Sequence, residues 1–207
     1  MILCEKNLFT LHTKNSTYQM KVGEYGILLH TYYGPRVRGG DLSYLIRGID
    51  RSFSPNPGEA GDSRTLSLDD IPQEYSTSNM GDYRLASLEL ELPNGSRSAD
   101  LRYKSCRVEK GKYALEGLPA FRGGEGDETL RVVLEDAGAG VEVELLYGVL
   151  EDYDIITRAV RVTNVGRDAV NLRQAASLCL DFQRGDLDLI AFDGRHAMER
   201  CPNRAPL

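Results

Sequence analysis

The 207-residue chain carries a net charge of −6, with 41% hydrophobic and 27% charged residues. This composition is typical of an ordinary folded protein, and the length fits one all-β domain. Basic residues are scattered among the acids, so the sequence lacks the basic stripe that a nucleic-acid partner requires. No apolar run approaches the about 20 residues needed to cross a bilayer, and the first residues lack the pattern of a secretion signal. We therefore expect a cytoplasmic protein without nucleic-acid or membrane partners.

The cysteines and histidines are dispersed along the chain. Cys4, Cys106, Cys179 and Cys201 form no Cys-x-x-Cys pair, and the three histidines are equally far apart. Metal and redox sites usually show closer spacing. The sequence therefore predicts reduced thiols, no metal site and no cofactor.

Apolar and polar residues alternate through much of the chain, which is the period of a strand with one buried face. The alternation begins at residues 88–92, where a turn at 93–96 follows. Residues 129–135 and 141–145 flank a second turn at 137–140, which predicts a hairpin. Further strands are predicted at 160–163 and 170–172.

The apolar residues Leu178, Leu180 and Phe182 share one face of another predicted strand. Helical periodicity is nearly absent, with at most a short turn between residues 68 and 75. Strands spaced about 8–12 residues apart, with turns between them, are typical of an antiparallel sandwich or barrel. The predicted class is all-β.

Residues 51–84 break this pattern. Pro55 and Pro57 stand two apart, and each lacks the amide donor that a central strand needs. Segments this long without alternation are usually functional or disordered, and the tyrosines, carboxylates and Phe53 argue against disorder. We expect a long ordered loop excursion around residues 51–84 that reaches something outside the sandwich.

Catalytic signatures are missing from this sequence. Hydrolysis of a glycosidic bond normally takes two carboxyl groups, about 5–5.5 Å apart in retaining enzymes, but 31 acids make candidate pairs too abundant to be informative. Asp69 and Asp70 are adjacent, and we interpret them as solvated acids of a loop. The sequence has no nucleophile elbow, and the glycine-rich run 122–127 lacks a phosphate-binding lysine and a following helix. No catalytic residue is assigned.

Some residues suit a sugar ligand. Tyr32, Tyr33 and Tyr75 are candidate platforms for a pyranose ring, although packing is the commoner role of strand tyrosines. Asp50 and Arg64 flank the first part of the excursion. Carboxylate and guanidinium groups are suited to holding sugar hydroxyls, but a mutual salt bridge explains this pair equally well.

The same stretches resemble the amino-terminal region of the bacterial family 36 glycoside hydrolases, the large α-galactosidases. The matching runs keep their order and spacing along almost the whole chain. They lie at residues 29–34, 49–57, 64–69, 71–75, 81–84, 117–120, 155–158 and 194–200. Leu66, Ile71 and His196 depart from residues that are common in the family.

The resemblance implies an antiparallel β-supersandwich at residues 1–194, with residues 195–207 as the start of a linker, without strand or helix, toward a (β/α)8 catalytic barrel. It implies a retaining α-galactosidase that cleaves terminal galactose from melibiose and raffinose, with both catalytic aspartates in the barrel. This chain has no tryptophan, so the family's Lys-Trp-Asp nucleophile context is absent. The 207-residue chain alone is therefore expected to be inactive.

The resemblance also implies a homotetramer in which this domain reaches the active site of a neighbouring subunit. The family's substrate-binding aspartate and arginine map here to Asp50 and Arg64. The implied partners are α-galactoside oligosaccharides, the chain's own barrel and neighbouring subunits. Two alternatives remain open: a stand-alone carbohydrate-binding module, and a structural interaction module whose long loop is a subunit contact.

Overall fold

The computed structural model describes residues 1–50, 56–182 and 185–207. Twelve strands and four single-turn 3-10 helices are present in these ranges, and they contain no α-helix. The strands are β1 (Ile2–Glu5), β2 (Leu8–His12), β3 (Ser16–Val22), β4 (Leu28–Pro35), β5 (Leu88–Glu91), β6 (Arg102–Lys110), β7 (Glu128–Asp136), β8 (Val141–Leu150), β9 (Ile155–Asn164), β10 (Asn171–Ala175), β11 (Asp188–Arg195) and β12 (Met198–Pro206). The 3-10 helices are Glu24–Gly26, Ser43–Leu45, Gly58–Ala60 and Glu151–Tyr153.

Two four-stranded antiparallel sheets form the body of the molecule, in the orders β1-β2-β3-β4 and β6-β7-β8-β9. Their inner faces share one core, to which Phe9 and Leu11 contribute from the first sheet and Val132 and Leu145 from the second. A two-stranded sheet of β5 and β10 adds Leu88 to the same core. The predicted all-β antiparallel class is confirmed.

The alternation predicted the strands well where one face of the strand is exposed to solvent. In β7 and β5, buried and partly exposed residues alternate almost without error, and β7 pairs with β8 across the turn at residues 137–140 as predicted. The second half of β8 departs from this pattern because every residue from 145 to 150 is buried. This half of the strand is covered on both sides.

The strand predicted at Leu178, Leu180 and Phe182 is wrong, because residues 178–182 are not in a strand. Their segment is held by side chains and by single backbone bonds. Asp181 pairs with Arg84 at 2.9 Å, and Ala176 donates its amide to the Ser87 carbonyl at 2.8 Å. Three apolar residues in alternation do not make a strand without a neighbouring strand to pair with.

The C-terminal segment was expected to contain no strand, and this expectation is wrong. β11 and β12 form an antiparallel hairpin, so the predicted boundary at 194/195 falls inside it. Leu207 donates its amide to the Leu187 carbonyl. Because amide direction alternates along a strand, the nitrogens of Pro202 and Pro206 point away from β11, where prolines are tolerated on an edge strand. That residues 195–207 lead toward a barrel stays a prediction.

Candidate functional site

The two predicted sugar-binding residues, Asp50 and Arg64, meet at the surface. Arg64 Nε donates to Asp50 Oδ1 at 2.6 Å across 14 residues of sequence. Both side chains are exposed, at 61% for Arg64 and 68% for Asp50. The mutual salt bridge is thus present, and its exposure leaves room for a ligand to contact both groups. The matched residues 51–55 between them lie outside the described residues.

Successive turns bring the chain back to Arg64. Ala60 donates its amide to the Pro57 carbonyl at 2.9 Å, and Ser63 donates to the Ala60 carbonyl at 3.1 Å. The Asn56 amide side chain also donates to the Ser63 carbonyl. We call residues 46–50 and 56–66 the tip of the excursion, and residues 67–84 its base.

The base packs onto the sandwich, and that the excursion also reaches something outside the sandwich stays a prediction. His30 donates its amide to the Pro72 carbonyl at 2.8 Å, and Glu74 donates to the Leu28 carbonyl at 2.9 Å, so residues 72–74 run beside β4. Leu68 and Ile71 are buried beneath this contact. The predicted turn between residues 68 and 75 is confirmed at residues 68–70.

Glu74 lies at the centre of a buried polar cluster that the sequence did not reveal. Its carboxylate is fully buried and accepts from the Tyr18 and Tyr147 hydroxyls at 2.7 Å each. Arg158 Nη1 donates to the same carboxylate at 2.6 Å, and the guanidinium lies 4.1 Å from the centre of the Tyr147 ring. His30 Nδ1 lies 3.3 Å from Glu74 Oε2. The cluster therefore ties the base to β3, β4, β8 and β9.

Electrostatics within this cluster favour the charged forms of its ion pair. Burial opposes ionisation of the Glu74 carboxyl, but the charge of Arg158 and the contacts with His30 and Tyr147 together outweigh it, so the pKa of Glu74 is lowered from 4.5. Burial also opposes the charge on Arg158, and the phenol of Tyr147 and the Glu74 carboxylate together raise the pKa of Arg158. Burial raises the pKa of the Tyr18 and Tyr147 hydroxyls well above 10.0, so both remain donors.

Arg84 provides a second anchor for the base. Its guanidinium donates to both oxygens of Asp82, at 3.0 and 2.8 Å, and to the Ile71 carbonyl at 2.9 Å. Asp82 also accepts from the Gln73 side chain at 2.8 Å. Because Arg84 also pairs with Asp181, it joins the base to the segment after β10.

An open groove of about 1120 Å³ lies beside β4 and is lined by residues of β4, of the tip and of the segment after β10. The exposed rings of Tyr33, Tyr44 and Phe182 line it, together with the Arg84–Asp181 pair. Aromatic faces next to charged groups are the lining that a carbohydrate groove uses. The groove is thus a second candidate for a ligand site.

The remaining candidate residues make contacts within the protein. Tyr75 is buried in the core, and the Tyr32 hydroxyl donates to the Pro35 carbonyl at 2.8 Å. Asp69 contacts the Ser67 hydroxyl within the turn of the base. Among residues 1–50, 56–182 and 185–207, no group of three His, Cys, Asp or Glu side chains is placed to hold a metal. No helix in those ranges is long and apolar enough to span a bilayer.

Comparison with known proteins bears on this architecture. The model of the glycosyl hydrolase family 36 N-terminal domain matches residues 26–207. The chain belongs to this family. It is 49% identical over 203 residues to the bifunctional alpha-galactosidase/sucrose kinase AgaSK of Mediterraneibacter gnavus, which covers 98% of the chain and 22% of AgaSK. It is 39% identical over 201 residues to the alpha-galactosidase AgaA of Geobacillus stearothermophilus, covering 96% of the chain and 27% of AgaA.

Solved structures of the family confirm the predicted fold. The galactosidase domain of AgaSK matches 100% of the chain and 29% of its own length, with a TM-score of 0.95 and 48% identity. The family 36 α-galactosidase AgaB of Geobacillus stearothermophilus matches 100% of the chain and 28% of its own length, with a TM-score of 0.92 and 39% identity. The chain spans about a quarter of the length of these relatives and corresponds to their noncatalytic N-terminal domain.

Proposed function

We propose that this domain serves a retaining α-galactosidase that releases terminal α-D-galactose from oligosaccharides such as raffinose and melibiose. In this proposal the catalytic carboxylates belong to a barrel elsewhere in the full-length protein, and the 207-residue chain alone is inactive. The relatives support the substrate class, because variants of AgaA were crystallised in complex with raffinose and with stachyose.

The domain's own contribution is to hold Asp50 and Arg64 against the substrate in the active site of a neighbouring subunit, within a homotetramer. The exposed ion pair at the tip carries this proposal. An exposed pair contributes at most about 1 kcal/mol to stability, so folding alone gives little reason to place two charges there. Galactosyl hydroxyls both donate and accept hydrogen bonds, so one ligand can contact the carboxylate and the guanidinium together.

The test uses the full-length protein carrying Asp50→Ala or Arg64→Ala. We expect each variant to raise KM for raffinose roughly 10- to 100-fold, because a hydrogen bond to a charged group contributes about 1.5–3 kcal/mol. The melting temperature is expected to stay unchanged. Arg107→Ala is the matched control, since Arg107 is 59% exposed and also pairs with a carboxylate. Wild-type kinetics in both tip variants, with normal assembly, would refute the proposed role.

A contribution from one subunit to the next is tested by mixing. Tetramers that combine the Asp50→Ala protein with a protein inactivated in its barrel contain active sites that have both functional parts. We expect such mixtures to recover activity with the wild-type KM. Recovery does not occur if each tip serves only its own barrel.

A stand-alone carbohydrate-binding module is the second candidate, and the groove beside β4 favours it. This alternative predicts that the 207-residue chain binds raffinose by itself in a calorimetric titration, and that Tyr44→Ala abolishes the binding. A third candidate, a purely structural module, predicts a tetramer without sugar affinity at either site.

A further inference from the structure

The tip consists of two limbs, residues 46–50 and residues 56–66, and these approach each other closely at Gly48. A Cβ atom at position 48 would lie 2.4 Å from the Thr65 carbonyl oxygen and 3.0 Å from the Thr65 Cβ. The distance to the Thr65 Cβ is well inside the about 3.5–4.0 Å optimum between carbon atoms, and the distance to the carbonyl oxygen is shorter than real Cβ atoms show. Neither of these Thr65 atoms can turn aside, because one belongs to the backbone and the other is attached directly to it. Only a residue without a side chain fits here.

The backbone conformation does not account for this glycine. Gly48 is absent from the glycines of positive φ, whereas Gly61 of the same tip has φ 55°. A glycine is needed either where φ is positive or where two backbones come close. At position 48 the close approach is the reason.

The contact stands directly beside the predicted substrate-binding pair. Gly48 precedes Asp50 by two residues, and Thr65 follows Arg64, so the contact sets the spacing of the two limbs at their charged residues. We propose that Gly48 is a positioning residue that holds Asp50 and Arg64 at the spacing the substrate requires. This inference rests on the proposed role of Asp50 and Arg64.

The effect of a side chain at position 48 follows from the distances. Bringing an alanine Cβ from 2.4 Å to an ordinary contact with the Thr65 carbonyl oxygen separates the limbs by about 1 Å. Arg64 is long enough to keep its contact with Asp50, so the pair persists but its two groups no longer match the substrate. A misplacement of about 1 Å can cost up to about 100-fold in a positioned interaction.

The experiment compares Gly48→Ala with Gly58→Ala in the full-length protein. Gly58 lies in the same tip and is likewise absent from the glycines of positive φ, and a Cβ there would meet nothing within 4 Å. We expect Gly48→Ala to raise KM for raffinose about tenfold or more, with kcat within twofold of wild type and an unchanged melting temperature. Gly58→Ala is expected to leave all three unchanged.

A combined variant separates positioning from a general effect. In a background that carries both Asp50→Ala and Arg64→Ala, neither group is left to be positioned, so adding Gly48→Ala is expected to raise KM no further. An equal further rise would overturn the inference, and so would loss of the folded tetramer, which would show that Gly48 supports the whole domain. If Asp50→Ala raises KM and Gly48→Ala does not, only this inference fails. If neither Asp50→Ala nor Arg64→Ala changes KM, the proposed function fails as well.

Discussion

Replacing Glu74 with glutamine tests whether the buried cluster holds the base of the excursion on the sandwich. Glutamine keeps the shape of the side chain and one acceptor oxygen, so contacts with the two tyrosine hydroxyls are partly retained. It removes the negative charge opposite Arg158, whose side chain is only 8% exposed. Breaking a buried ion pair from one side costs about 3–5 kcal/mol, because the remaining charge is left buried without a counter-charge.

Since the shape is conserved, we expect the lower end of this range, about 3 kcal/mol. For a domain of this size the loss corresponds to a fall of roughly 6–12 °C in melting temperature. Urea unfolding of the 207-residue chain, followed by far-ultraviolet circular dichroism, measures it, and the slope m should stay constant. Glu109→Gln is the control, because Glu109 is 40% exposed and pairs with Arg107 and Arg131. We expect it to cost less than about 1 kcal/mol. A Glu74→Gln cost as small as the control's would refute this account of the cluster.

Two further predictions concern stability. Because the pKa of Glu74 is lowered from 4.5 in the folded state, the contribution of Glu74 to the free energy of unfolding is present above about pH 4.5 and is lost as pH falls through the lower folded value. The gap between the urea midpoints of wild type and Glu74→Gln should therefore narrow from pH 5 to pH 3. A constant gap would contradict this. Gly140→Ala should cost about 1–2 kcal/mol or more in urea unfolding, because φ is +66° and a Cβ would lie 2.7 Å from the Gly166 Cα; Gly138→Ala, where φ is not positive and the nearest atom is the tip of the Asp136 side chain, should cost clearly less.

The parts of the fold predicted from sequence are those in which one face of a strand meets water. β5 and β7 carry that alternation in their residues, so their existence and the β7–β8 hairpin could be inferred. The hairpin of β11 and β12 could not, because nearly all of its residues are exposed and no alternation separates its faces. Pro202 and Pro206 of β12 occupy positions of an edge strand where no amide donor to β11 is needed.

The candidate site was only half visible in the sequence. The pattern identified Asp50 and Arg64 but left open whether they pair, and the contact at 2.6 Å answers that. Glu74 gave no signal, because a carboxylate in a proline-containing loop is ordinarily solvated and its partners lie 56 and 84 residues away in Tyr18 and Arg158. The sequence did not identify Gly48 either, because the need for glycine depends on which backbone runs beside it.

The two main sheets are formed by segments that are far apart in the sequence, and this separation has a consequence during synthesis. The first sheet is complete by Pro35, but its counterpart begins at Arg102, and Asp154 binds back to the Asn15 amide. The apolar inner face of β2 and β3 is therefore synthesised early, and most of the chain must follow before the second sheet is present to cover it. At about 5–20 residues per second, residues 36–154 take roughly 6–24 s to emerge from the ribosome. Throughout that interval the first sheet has no partner sheet, and exposed apolar surface of this kind makes a nascent chain prone to aggregation.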